Sequence, residues 1–361
     1  MRNEQLIRLF GALLLMIGIQ AGSSSAAAAV RYAYVADFGG NTISAFAVNK
    51  GSGAVAPLGG GCAVMPTAPG PNSLAVDPTG RFLFVANQTA NSISVFTITF
   101  ATGCLVPGPV VAVPVGPTSL ALSLSGACLY ASHGAVSQIS AFTVNPGTGA
   151  LLFVNLVNLV AGANPNGIAV GGAFGQFVYT ADSGANLVSG FSANPGTCAL
   201  GAAVPGNPFP TGPVPLGLAV DPVGQFLFVT NNAVNTVTSY AIKPATGALG
   251  AGAVFAAGAG PSGVSVDQFG QFLYVANNAA GNVESYNILP GGALGIIGNF
   301  GVPPGPVGIT ADQSGRFLYV ADSTANALAG FTINQAAGNL VVIPGTPVAV
   351  GNFPVAVATT P

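Results

Sequence analysis

The sequence predicts an all-β fold: a seven-bladed β-propeller with four-stranded antiparallel blades, closed by pairing of its N- and C-terminal strands. Three observations carry that prediction. One four-strand unit recurs in register along the chain, the composition favours short strands joined by tight turns, and the two ends hold complementary parts of one unit.

Composition comes first. Half of the 361 residues are hydrophobic, and 52 glycines and 28 prolines supply far more turn formers than long helices tolerate. Charged residues make up only 4% and the net charge is −2, so a nucleic-acid partner is excluded: clustered Lys and Arg are needed to neutralise phosphates, and the chain has seven in all.

The unit is clearest at residues 70–105, GPNSLAVDPTGRFLFVANQTANSISVFTITFATGCL, with similar stretches beginning at Gly116, Asn164, Val214, Gly260 and Gly305. Strand A is a short apolar run led by a proline: Pro71, Pro117, Pro165, Pro215, Pro261, Pro306 and Pro354. Proline suits a strand's first residue, where no ladder donor is lost. The A–B turn reads Asp-Pro-Thr-Gly-Arg at residues 77–81, with Asp221, Asp267 and Asp312 as turn formers in later copies. Strand B, as in FLFVAN (82–87) or QFLYVAN (271–277), is almost continuously apolar, the mark of a strand covered on both faces. Strand C alternates, as in SISVFTI (92–98). A link such as Asn145 to Leu151 with a Thr-Gly-x-Leu turn leads to strand D, the least regular, as expected of an outer edge.

The residue ending strand B falls at Asp37, Asn87, His133, Asp182, Asn231, Asn277 and Asp322, at spacings of 45 to 50 residues, the length of a propeller blade. RYAYVADFGGNTISAFAV (31–48) matches strands B and C with no strand A before it, and FPVAVATTP (353–361) matches a strand A with nothing after it. Joined, the ends complete one blade and remove the open edges of a linear array.

Residues 1–29 read as an export signal: Arg2 and Arg8 lead into an apolar run from Leu9 to Ile19, too short to span a bilayer, and Ala26 to Ala29 offer a cleavage site. Residues 30–361 are then the propeller of a secreted or periplasmic protein with no transmembrane segment after cleavage. Cys62, Cys104, Cys128 and Cys198 contain no Cys-x-x-Cys pair, which argues against zinc. Export permits disulfides, with three possible pairings, and unpaired buried cysteines remain an alternative.

The blocks YVAD (34–37), FVTN (228–231), YVAN (274–277) and YVAD (319–322), each followed downstream by a Thr-Gly-x-Leu-type turn, resemble the YVTN-repeat propellers and the seven-bladed lactonase family. The resemblance extends over residues 30–361. It implies the fold directly, and by analogy a lactonase activity such as that of the 6-phosphogluconolactonases, which requires cationic or acid–base groups converging on the central face. Here Arg81 and Arg316 follow the A–B turn at the opposite end, and Glu284 is expected to point outward from a strand C, so a phosphorylated substrate finds little to hold it.

The default ligand face is the channel mouth framed by the D–A and B–C connections. Its candidate binding rim is Asp37, Asn87, His133, Asp182, Asn231, Asn277 and Asp322, joined by Asn72, Thr118, Asn166 and Ser262 just after the leading prolines. The same Asn and Asp side chains can instead serve turn backbone. His133, the single histidine, is the candidate general base, with Asn87 and Asp182 on the neighbouring blades. The three rim aspartates do not form a calcium ligand set, and no metal or cofactor is expected. Three readings stand: a non-catalytic scaffold binding a small molecule, glycan or protein at the mouth, a lactone hydrolase acting on a small carbohydrate-derived lactone, and a structural cell-envelope module.

Overall fold

The computed structural model describes residues 31–361; the export signal expected over residues 1–29 lies outside the described residues. Seven antiparallel sheets stand radially around one axis. Blade 2 shows the plan: strand A Pro71–Val76, B Phe82–Asn87, C Ser92–Ile98 and D Leu105–Ala112, hydrogen-bonded in that order from the axis outward. Blade 1 is assembled from both ends of the chain. Strand Pro354–Thr359 pairs with Arg31–Asp37, Val35 opposite Val357, so the expected closure is present.

Strand D departs from the plan in blades 1, 4 and 7, where it breaks into two short pieces that both pair with strand C. Gly-rich or Gly/Pro-containing excursions at residues 58–63, 204–208 and 343–347 cause the breaks. Blade 3 instead keeps an unbroken eight-residue strand, Leu151–Asn158.

The core is distributed as seven apolar layers, one between each pair of neighbouring blades. Strand B contributes to the layers on both sides, which is why its sequence is continuously apolar: Phe82 and Phe84 face one neighbour, Leu83 and Val85 the other. The closing layer sets Val35 and Phe46 of blade 1 against Phe317 and Tyr319 of blade 7. The aromatic opening strand B packs on the glycine of the following blade's C–D turn, as Phe177 does on Gly247 and Phe317 on Gly53, where an added Cβ would stand 2.4 Å and 2.3 Å from the ring. Two positions further on, Tyr34, Tyr179 and Tyr319 donate their hydroxyls to the same turns, at Gly103, Gly247 and Gly53, over 2.8, 2.7 and 2.7 Å.

Both disulfides join neighbouring blades at this contact. Cys128 stands where other blades open strand B with Phe or Tyr, Cys198 stands where other C–D turns have glycine, and the two are bonded. Cys62 of blade 1 is bonded to Cys104, one residue past the corresponding glycine of blade 2. A covalent bridge thus replaces the aromatic–glycine contact between blades 3 and 4 and reinforces it between blades 1 and 2.

At the turns, Asp77 accepts from the backbone N–H groups of Arg81 and Phe82, both at 2.6 Å, and Asp221, Asp267 and Asp312 repeat the pattern. The B–C turns end in left-handed residues, mostly asparagine. Asn41, Asn91, Asn186, Asn235 and Asn326 each accept a backbone N–H from the link that precedes the next leading proline, so every such turn holds the adjacent blade in place.

Candidate functional site at the channel mouth

Each leading proline pairs across its sheet with the residue that ends strand B: Pro71 with Asn87, Pro117 with His133, Pro165 with Asp182, and so on to Pro354 with Asp37. The predicted rim therefore lies at the level of the channel mouth but one strand behind the channel wall. All seven of its members have no exposed surface.

Each occupies a recess between strand C and the link that enters the blade. Asp37 accepts from the hydroxyls of Ser44 (2.7 Å) and Thr42 (3.1 Å), and a Cβ on Gly351 of the link would stand 2.5 Å from its carboxyl. Asp182 accepts from Ser189 (2.6 Å) and Thr180 (2.9 Å). Asn231 donates to Thr238 and accepts from Thr211, Asn87 shares its amide with Thr67 and Ser94, and Asn277 donates to Asn282. These bonds fasten strand B to strand C and to the link.

Asp322 is the exception. Its strand-C neighbour is Ala329 where other blades carry Ser, Thr or Glu, its link carries Pro303 where blades 1, 5 and 6 have glycine, and neither carboxyl oxygen has a hydrogen-bond partner. Burial pushes its acidity up to about 8. Burial also raises Asp37 and Asp182, each to about 6, against the lowering pull of their hydroxyl donors.

His133 is hydrogen-bonded through Nε2 to the Ser140 hydroxyl, its Nδ1 has no partner among the described residues, and burial lowers its basicity to about 4. It is neutral at pH 7, no carboxylate among the described residues orients it, and its ring has no exposed surface. Glu284 corrects the outward orientation expected of it: the side chain is buried, accepting from the Gly258 N–H at 2.8 Å and the Tyr286 hydroxyl at 2.6 Å.

The channel itself forms a cavity of about 270 Å³, walled by the first residues of all seven A strands. Asn72, Thr118, Asn166 and Ser262 line it as expected, together with Ser73 and Ser119, which the sequence reading did not single out. They form a polar arc across blades 2 to 4. Leu216, Leu218, Val307, Ile309, Val355 and Val357 make the opposite wall apolar, with Ser262 between. Part of the polar arc is committed internally: Asn72 donates to the Thr118 carbonyl at 2.9 Å, and the Thr118 hydroxyl donates to the Pro165 carbonyl at 2.6 Å. The Ser119 hydroxyl has no protein partner among the described residues and is available to a ligand.

Glycine at the third strand-A position sets the width. A Cβ on Gly217 would stand 2.3 Å from the Ser262 carbonyl, and one on Gly263 would stand 2.2 Å from that of Val307. Adjacent A strands approach too closely for any side chain there, which narrows the channel. No Asp, Glu, His, Lys or Arg lines it. A second, larger and open hollow, about 590 Å³, lies over blades 3 and 4 beside residues 134–137, where Ser137, Asn158 and Asn164 stand among glycine, alanine, valine and leucine. Among the described residues no group of three or more His, Cys, Asp or Glu side chains is placed to hold a metal.

The architecture matches solved structures closely. It superposes on a candidate 6-phosphogluconolactonase from Bacteroides fragilis (TM-score 0.78, 20% identity, 92% of this chain and 98% of that one). It superposes equally on the periplasmic gluconolactonase of Pseudomonas aeruginosa (0.78, 19%, 92% and 99%), and less closely on hydrazine synthase from Kuenenia stuttgartiensis (0.62, 18%, 80% and 89%). At such identities the likeness is one of fold. Among curated proteins none matches. The family model described as "Lactonase, 7-bladed beta-propeller" matches residues 18–115 and 204–307, more than half of the sequence. The chain belongs to the seven-bladed β-propeller lactonase family.

Proposed function

We propose that the protein is an exported, non-catalytic binding propeller that receives a small uncharged polyhydroxy ligand, a sugar or sugar lactone, in the mouth of its central channel. The observation that carries this reading is the channel wall: amide and hydroxyl groups on one side, aliphatic side chains on the other, and no ionisable group between them. Such a surface complements the polar edge and apolar face of a sugar ring. Its volume lies just below the roughly 300–1,000 Å³ of drug-sized sites, which restricts it to a small molecule. A phosphorylated ligand would enter without a counter-charge and lose its hydration.

Family membership favours a second reading, hydrolysis of a small carbohydrate-derived lactone. That chemistry calls for a general base within hydrogen-bond reach of an attacking water, and the titratable rim side chains are sealed behind the wall. Calorimetric titration with neutral sugars, hydrolysis-resistant sugar lactams and their phosphorylated counterparts distinguishes the readings. Neutral ligands should bind, phosphorylated ones at least about tenfold more weakly, and Asn166→Leu, which also gives up the amide's 3.3 Å hydrogen bond to the Ser183 hydroxyl, should abolish binding while circular dichroism shows the fold retained. Lactone hydrolysis above the buffer rate would replace the binding reading with the enzymatic one.

A further inference from the structure

All eight carboxylate side chains among the described residues are buried: the four of the A–B turns, the three of the rim, and Glu284. The exposed charges are four cations, Lys50, Arg81, Lys243 and Arg316. Each sits on an A–B or C–D turn or at the start of a B strand, so all four are at the end of the propeller opposite the channel mouth. Arg316 donates to the carbonyls of Lys50 and Gly51 at 3.2 and 2.9 Å, which gathers part of this charge over blades 7 and 1, next to Arg81 on blade 2.

The same end carries exposed large apolar side chains. Leu124, Phe174, Val223 and Phe269 occupy the A–B turns of blades 3 to 6, with Phe174 at 78% and Phe269 at 58% exposure, and Phe100 on the C–D turn of blade 2 reaches 85%. Propeller symmetry puts corresponding turn tips at one height along the axis. The turns also touch: a Cβ on Gly224 would stand 2.6 Å from Gly172, and one on Gly315 would stand 2.8 Å from the Phe269 ring. The outcome is a level ring of tips: apolar A–B tips over blades 3 to 6 with Lys243 of blade 5 beside them, and Arg316, Lys50 and Arg81 gathered over blades 7, 1 and 2 beside Phe100.

We propose that this end docks on an anionic lipid surface, the aromatic tips entering the headgroup layer while Arg81, Arg316 and Lys50 pair with lipid headgroups. A planar partner fits because the exposed apolar groups stand on corresponding turn tips at one height along the axis. An anionic partner fits because every exposed charged side chain among the described residues is positive. Docked this way, the protein presents its channel mouth away from the bilayer.

Vesicle flotation of the purified chain tests this, comparing phosphatidylcholine alone with phosphatidylcholine containing about one-third phosphatidylglycerol. The wild type should float with the anionic vesicles and be released as salt is raised. Phe174→Ser with Phe269→Ser should lower the bound fraction by about tenfold or more. Arg81→Gln with Arg316→Gln should remove the preference for anionic over neutral vesicles. All variants carry the same N-terminus, so differences between them report the face alone, and circular dichroism verifies each fold. Phe100→Ser provides an independent aromatic test. Failure to float, equal flotation on both vesicle types, or flotation untouched by the phenylalanine changes would overturn the proposal. So would a dimer dispersed by those changes, which would assign the face to a second copy of the chain.

Discussion

Asp322→Asn should stabilise the protein increasingly as pH rises from 4 to 8. In the native state the Asp322 carboxyl has no hydrogen-bond partner and its pKa is raised to about 8 by burial, whereas in the unfolded chain it returns to about 3.9. Between these values the unfolded state releases the proton and the folded state retains it. The unfolded state then binds fewer protons, so stability falls by about 1.4 kcal/mol per pH unit, reaching about 5 kcal/mol at pH 8 and changing little above it. Asparagine matches the shape of the neutral acid and has no ionisation to suppress. Below pH 4 the two proteins should therefore be close in stability, and the advantage of the variant should grow to several kcal/mol by pH 8. Denaturant unfolding of both proteins from pH 3.5 to 9, followed by tyrosine fluorescence, measures the difference directly. Asp37 and Asp182 are present in both proteins and cancel. A difference independent of pH, or an Asp322→Asn variant weaker at pH 8, would refute a buried neutral acid at this position.

Three further outcomes follow from the same geometry. His133→Asn, which restores the residue found at this position in blades 2, 5 and 6, should leave channel ligand binding unchanged; because the imidazole is held neutral with its pKa lowered to about 4, the wild type should lose up to about 3 kcal/mol as pH falls from 6.5 to 4 while the variant resists acid better in denaturant titrations. Removing Cys128–Cys198 as Cys128→Ala with Cys198→Ala should cost about 4 kcal/mol by the loop-entropy relation, and Cys128→Phe with Cys198→Gly, which restores the contact used by other blades, should recover part of that loss in thermal melts. Deleting residues 354–361 should uncover the edge of strand Arg31–Asp37, and light scattering should detect aggregation well below the wild-type melting temperature.

The repeat register was legible in the residues themselves. Leading prolines, A–B turn aspartates and apolar B strands each reappear at their expected places because their local requirements, a fixed φ, an acceptor for turn N–H groups and cover on both faces, are written into single residues. The disulfide between Cys128 and Cys198 was also readable in principle: aligned repeats put one cysteine at a strand-opening aromatic position and the other at the turn glycine that such an aromatic covers. Cys62 lies in the strand-D excursion of blade 1, where no repeat register holds, and its partner required coordinates.

The candidate site divides along the same line. That Asn72, Thr118, Asn166 and Ser262 would face the channel followed from their place after the leading proline. That Asp37, His133 and Asp322 would be shut away did not, since a strand end at the mouth looks the same in sequence whether its side chain turns toward the axis or into the recess beneath the link. Sequence alone determined the number of blades, their strand order and the circular closure, because each rests on short-range pattern repeated many times. Only the tertiary structure decided which polar groups meet solvent, and that every carboxylate side chain among the described residues is turned inward while Lys50, Arg81, Lys243 and Arg316 stay outside. Those outcomes depend on how neighbouring blades approach, and on whether the link supplies a glycine or a proline and strand C a hydroxyl or a methyl, groups that meet the strand-B end only once the blade is assembled.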